Sequence, residues 1–493
     1  MPLSRGVVAA GHPATAEAGA WALREGGNAV DAAVAAVAAS IVAESPLTGL
    51  GAGGHMLVHR PGGETVLLDF FVAAPGLAGT ERRSDLVPVE VDFGDAIQIF
   101  NIGAASCGVP GVPSGLEEAA RSHGTMALAD LVGPGARLAR EGVELNRQQG
   151  YLLKILAPIL AREAEGEAIY APEGRVLETG ERIAFPELAE TLERLGAEGC
   201  EPFYRGDIAA AMSRDVVDSG GTLAAEDLAA YETITREPVR ASFAGRDILT
   251  NPPPSSGGLL IAYALELLDE VGEFDAVTLV GVMRQAQEAR TREFLAGLYE
   301  DGYGTRFLAD RLGSTTHITA VDSDGGCASV TCSNGTGSGL YVEGTGIHVN
   351  NMLGETDLNP LGFHSTQAGR RLPSMMSPTV VLRDGRLELG LGSGGSNRIR
   401  SAITQVLVRT LGEGLDLAAA IAAPRVHFEE GAVQSEPGVD PGALERLAAE
   451  GYEVIRWHEP NLFFGGVHAV AAGEDGTLTG AGDPRRGGAV ARA

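Results

Sequence analysis

The chain has 493 residues, of which 44% are apolar and 21% charged, enough to bury a large core. A formal charge of −28, with Lys154 as the single lysine, argues against nucleic acid or any other polyanion as a partner. Cys107, Cys200, Cys327 and Cys332 have neither metal-ligand spacing nor the density of a disulfide scaffold, and read as small buried hydrophobes.

Residues 1–8 lack the charged start, apolar run and small-residue cleavage site of a secretion signal. The longest apolar stretch, residues 29–43, is interrupted by Asp31 and too short to span a bilayer. A cytoplasmic protein without membrane contact is the expectation. Residues 14–43 read as two helices, the first ended by glycine in Glu25-Gly26-Gly27-Asn28 and the second capped by Asn28. Residues 49–55 read as a glycine-rich loop. Alternation over residues 56–59 and 65–69, joined by Pro61-Gly62-Gly63, then predicts a hairpin.

From about Leu116 to Leu312 the pattern is mainly helical, an outer layer, punctuated by three prolines within residues 251–258. At Thr315 the texture changes to strands: residues 315–322, an Asp324-Gly325-Gly326 turn, and residues 327–333. Further strands are predicted at 379–383 and 387–390, a helix-to-strand passage over 441–455, and a closing strand over 463–471. Without any linker-like tract, one compact unit of layered α+β packing is expected.

The segment that carries chemistry is Gly313-Ser314-Thr315-Thr316-His317, a hydroxyl-rich run opening a strand. Alone it proves nothing, since threonine favours strands for steric reasons. Other segments accompany it in order: Arg24 to Ala33, Gly49 to Met56, Pro252 to Gly258, Asn350-Asn351, Ser374 to Pro378, Gly392 to Ser396, Ala423-Pro424-Arg425 and Asp483-Pro484-Arg485. This ordered series resembles the γ-glutamyltransferase (γ-glutamyltranspeptidase, glutathione hydrolase) family of N-terminal nucleophile hydrolases.

The resemblance implies a four-layer αββα sandwich and a precursor cut between Ser314 and Thr315. Residues 1–314 would form the large subunit and 315–493 the small one. The Thr315 hydroxyl would attack the preceding carbonyl, and the freed amine would then serve as general base for the same hydroxyl, which attacks an amide and forms an acyl-enzyme. Gly394 and Gly395 match the family's backbone donors to the developing oxyanion, and Ser333 matches a hydroxyl that supports the nucleophile. Transfer goes to water or an amine, with no cofactor and no metal. The implied partners are a small amide and the protein's own processed fragment, with a higher oligomer left open.

The substrate-reading positions diverge. In the family an arginine of an Asp-Phe-Arg-like segment and two adjacent serines grip the donor's α-carboxylate. Here they become Phe71 and Ser374-Met375, and the residue after the paired asparagines is Met352, with Asn334 and Glu355 remaining on the ammonium side. A zwitterionic glutamyl head would be left with an unpaired charge at the Phe71 and Met375 positions. Either Arg370, Arg371, Arg398 or Arg400 takes over, or the acyl group is not γ-glutamyl, as in family acylases and specialised-metabolism hydrolases. Glutathione metabolism is therefore doubtful. His317 is expected to be structural. A non-catalytic binding homologue is the alternative from another class, disfavoured by the intact Thr315-Thr316-His317 and Gly394-Gly395.

Overall fold

The computed structural model describes residues 5–94, 97–289, 291–300 and 316–493. Two antiparallel sheets lie at its centre. The first has seven strands in the order Ala489–Arg492, Gly6–Ala10, Thr316–Asp322, Cys327–Ser333, Gly53–His59, Thr65–Phe70 and Ile234–Arg236. The second has six, in the order Leu478–Gly482, Gly466–Ala472, Arg386–Gly394, Thr379–Arg383, Arg246–Thr250 and Val239–Phe243.

Strand alternation sorts the side chains into layers. Val7, Ala9 and Val321 of the first sheet meet Leu249, Val380 and Val470 of the second between the sheets. Their neighbours Val8, Ala10, Ile318 and Ala320 point the other way, to helices Pro13–Arg24 and Ala29–Ala43. All fifteen residues of Ala29–Ala43 are buried, and its alanines let the backbone lie close to the strands. Asn28 starts this helix by accepting from the N–H of Val30 (2.8 Å) and Asp31 (3.1 Å), while Asp31 accepts from Asn28 N–H at 2.8 Å. Helices Gly257–Val271 and Arg398–Leu407 cover the outer face of the second sheet. The result is a four-layer αββα sandwich. Among the described residues no helix is long and apolar enough to cross a membrane.

The observed elements differ from the sequence pattern in a few places. Among the described residues the mainly helical stretch also contains strands: the two-residue pair Val143–Glu144 and Arg182–Ile183, and Ile234–Arg236, Val239–Phe243 and Arg246–Thr250, the last two joined by an Ala244-Gly245 turn with both residues at positive φ. The strand at Arg386–Gly394 runs four residues beyond the predicted end, and Gly53–His59 takes in the last three residues of the predicted loop. Leu478–Gly482 and Ala489–Arg492 were not anticipated, because their glycine, alanine and arginine carry little strand signal.

Candidate active site

The site lies at one end of the sandwich, where central strands of both sheets stop. Ser314 and Thr315 fall outside the described residues. Thr316 opens the central strand Thr316–Asp322 opposite Cys332. Its hydroxyl donates to Glu44 Oε2 at 2.8 Å, and Thr15 donates to Glu44 Oε1 at 2.8 Å. Burial pushes the Glu44 carboxyl above its usual range, opposed by those two hydroxyls and by the charge of Arg486. One residue past Cys332, the strand ends at Ser333, whose Oγ accepts from Gly335 N–H at 2.8 Å.

The second sheet contributes Arg386–Gly394, which runs through Gly394 and Gly395 into the helix beginning at Arg398. Gly394 pairs with Gly466, and its carbonyl accepts the Ser393 hydroxyl at 2.8 Å. Gly395 has φ 127°, and a side chain on it would strike Gly465 Cα at 2.6 Å. Ser396 follows in the left-handed region at φ 55°, its Oγ donating to Asp357 Oδ2 at 2.7 Å.

These ends border an open cleft of about 550 Å³. Its polar lining includes Ser333, Thr336, Glu355, Gly395 and Ser396, and its apolar lining Leu47, Phe93, Phe100, Leu152, Leu156 and Leu462. The hairpin of Val87–Asp92 and Ile97–Ile102 brings Phe100 and Gln98 to the cleft. Burial pushes the Glu355 carboxyl up to about 8, reinforced by the nearby Asp357 charge, while Asn351 donates to it at 3.1 Å. Two guanidinium groups, Arg398 and Arg486, also border the cleft. Arg398 donates through Nε to Phe463 O at 2.9 Å and stacks over the Phe463 ring at 4.1 Å.

Other predicted residues lie elsewhere. Phe71 stacks on His55 with centroids 5.3 Å apart and packs with Met352, Leu372 and Met376 in a buried apolar cluster. Met375 is enclosed by Leu260 and Ala286. Ser374 accepts from Met376 N–H through Oγ at 3.0 Å, and its carbonyl accepts the Ser255 hydroxyl at 2.8 Å. Asn334 donates to His348 O at 3.2 Å. None of these five borders the cleft with Ser333 and Glu355.

Of the four candidate arginines, Arg398 alone borders that cleft. Arg371 pairs with Asp69 at 3.4 Å and covers the Tyr231 ring, Arg370 lies over Tyr299, and Arg400 donates to Gln287 at 3.0 Å. Asp69 is buried. His55, Arg371 and Arg236 outweigh that burial, which acts in the opposite direction, and hold its carboxyl well below the usual carboxylate range. His317 is sealed between the sheets, with Nδ1 2.8 Å from Thr331 Oγ1 and Nε2 2.8 Å from Thr319 Oγ1. A side chain on Gly392 would approach its ring to 2.4 Å, so glycine there makes room for the imidazole.

Sequence reasoning missed Glu44, Gln98, Ser396 and Arg486 as site residues. Arg486 directly follows the Asp483-Pro484-Arg485 segment and was the most accessible of the four from the sequence.

The comparisons with known proteins agree with this fold. The Gamma-glutamyltranspeptidase family model matches residues 15–295 and 282–493. The acylase ACY 1 proenzyme of Pseudomonas sp. (strain SE83) is 32% identical, the alignment covering 97% of this chain and 92% of that one. The glutathione hydrolase proenzyme of Escherichia coli (strain K12) is 31% identical, over 98% of this chain and 90% of that one. The solved structure of a cephalosporin acylase from Bacillus halodurans superposes with a TM-score of 0.84 at 25% identity, covering 99% of this chain and 96% of that one. Matched by the family model along nearly its whole length and by relatives at about the same length, the chain belongs to the γ-glutamyltranspeptidase family and is an enzyme with the N-terminal nucleophile hydrolase fold.

Proposed function

We propose that the protein is a self-processing amidohydrolase or acyltransferase whose nucleophile is Thr315, freed by cleavage after Ser314. In the precursor, Thr315 Oγ attacks the Ser314 carbonyl and water hydrolyses the resulting ester, releasing the Thr315 amine. In the mature enzyme that amine accepts the hydroxyl proton as Oγ adds to the substrate's amide carbonyl. The proton then passes to the leaving amine, and water or a second amine takes the acyl group from Thr315. Backbone N–H groups at the Gly394-Gly395 turn stabilise the oxyanion, and Ser333 supports the nucleophile.

One observation carries this reading: Thr316, the residue after the nucleophile, is fixed at the head of a central strand beside Ser333, and Ser333 shares a cleft with Gly395. Denaturing electrophoresis with mass spectrometry tests it. Two fragments beginning at Met1 and Thr315 are expected, with Thr315→Ala staying whole and inactive; active protein that remains a single chain refutes the reading.

Acylase chemistry suits the cleft better than glutathione hydrolysis. Phe71, Met352 and Met375 have withdrawn into apolar clusters, so these three of the positions that read a γ-glutamyl head in the family offer no charge here, while Glu355 stays on the cleft. The acyl donor is therefore an amide recognised by other groups of the cleft.

A further inference from the structure

A polar rail runs along the helix Arg398–Leu407 and into the turn that precedes it. Asn397, Ser401 and Gln405 recur at every fourth residue, so their side chains share one face. Beside that face lies the strand Val426–Glu429. Gln405 donates to Val426 O at 2.9 Å and accepts from Val426 N–H at 3.1 Å, and Ser401 Oγ lies 2.8 Å from His427 Nδ1. His427 Nε2 reaches Glu429 Oε2 at 3.3 Å, and Glu429 Oε1 accepts from Asn397 Nδ2. A carboxylate can only accept, so His427 carries its proton on Nε2 and takes the Ser401 hydroxyl on Nδ1. Eight residues of helix span about 12 Å and three steps of strand about 10 Å, so the two elements stay in step along the rail.

Gln405, Ser401, Asn397 and His427 are all buried. Polar groups in such a place cost desolvation, and a chain of them that is satisfied fixes one register where apolar packing would tolerate slippage. The rail ends at the turn that enters the cleft. There Gly395 has φ 127° and Ser396 φ 55°, successive left-handed conformations that persist only where the surroundings hold them. Asp357 holds Ser396 at 2.7 Å, and Glu429 holds the next residue. Asn397 Oδ1 is buried without a hydrogen-bond partner among the described residues, so its amide is tied through Nδ2. Burial acts to raise the Glu429 carboxyl, but His427 and then the charges of Arg398 and Arg400 outweigh it and hold the group at about 2.

We infer that Glu429 is a positioning residue for the reaction: through Asn397 it fixes the Gly394-Gly395 turn whose N–H groups receive the oxyanion. This role rests on the acyl-enzyme reading above and adds to it the group that keeps the turn in place. Glu429 itself touches no reacting atom.

The test exchanges acid and amide between the two positions. Asn397→Asp sets two carboxylates against each other, and Glu429→Gln leaves one acceptor oxygen for two donors, Asn397 and His427. The double variant restores the pair with its roles exchanged, since the new amide donates to the new carboxylate and still accepts from His427. Hydrogen exchange by mass spectrometry over residues 392–400 is expected to quicken about tenfold or more in each single variant and to return to within about threefold of wild type in the double. On γ-glutamyl-p-nitroanilide or phenylacetyl-p-nitroanilide, whichever wild type hydrolyses, kcat falls about tenfold or more in each single variant with KM within about twofold, and the double recovers most of it. Unchanged exchange over the turn in both single variants, or a double variant no better than its parents, overturns the role of Glu429. If Asn397→Asp does not fold, Glu429→Gln against the double variant gives the same comparison. Processed wild type that loads an acyl group from neither anilide onto Thr315 tells against the acyl-enzyme reading alone, while exchange still decides whether Glu429 holds the turn.

Discussion

Glu355 shows how a single buried carboxyl sets a pH dependence. It lines the cleft with Asn351 as donor, and burial pushes its carboxyl up to about 8. In the unfolded chain it ionises in the ordinary carboxylate range. Between these limits the native state binds more protons than the unfolded state, so this residue makes stability fall as pH rises through the window. Glutamine keeps the shape and the acceptor for Asn351 without the charge. The melting temperature of Glu355→Gln relative to wild type is therefore expected to climb from near zero at about pH 5 to a maximum at about pH 8. A difference independent of pH would show that the carboxyl ionises normally. His317 makes the opposite case: burial first, then the neighbouring His468, hold its imidazole well below its usual range, so it stays neutral between its two threonines, and because the unfolded imidazole protonates in its ordinary range this residue makes stability fall as pH drops through that range.

At the scale of elements, the turn from the Arg386–Gly394 strand into the Arg398–Leu407 helix carries the Gly394-Gly395 pair proposed to hold the oxyanion. Ser396 holds φ 55° in that turn, a conformation that costs a residue with a side chain about 1–2 kcal/mol. Ser396→Gly relieves that strain but loses the hydrogen bond to Asp357, two effects of similar size. It should melt within a few degrees of wild type and still process. Ser396→Val keeps the unfavourable φ, adds β-branching and loses the hydrogen bond, so it should melt lower and lose about tenfold or more in acyl transfer as Gly395 shifts. Equal rates in the two variants would separate this turn from the oxyanion.

The strand ends on which this turn depends were only partly legible in the sequence. The Thr316 and Cys327 strands announce themselves by alternation and a glycine turn, and the Asn28 cap by its place between Gly26-Gly27 and the second helical run. Glu44 and Arg486 did not. Their meaning depends on Thr15, Thr316 and Leu462 approaching from distant parts of the chain, and no local pattern encodes such a meeting. Phe71 was legible as a lost arginine, but its withdrawal into the cluster with Met352 and Met376 appears only in the packing.

The molecule as a whole is woven from both sides of Thr315. In the first sheet, Gly6–Ala10 lies between Ala489–Arg492 and Thr316–Asp322, while Cys327–Ser333 pairs with Gly53–His59. In the second, Thr379–Arg383 pairs with Arg246–Thr250. Four ladders thus join residues before 315 to residues after it, and the layer between the sheets draws on both. Cutting after Ser314 breaks one covalent bond and none of these pairings. Separating the pieces would break all four ladders, leave unpaired strand edges in both sheets and expose the apolar layer between them, as in an obligate complex rather than a transient one. The processed fragments are accordingly expected to co-elute as one particle in size exclusion under native conditions, and to part only in denaturant, with a single unfolding transition followed by fluorescence. Elution of a free 315–493 fragment without denaturant would mean that the two sides are held together less by these ladders than by the peptide bond that processing removes.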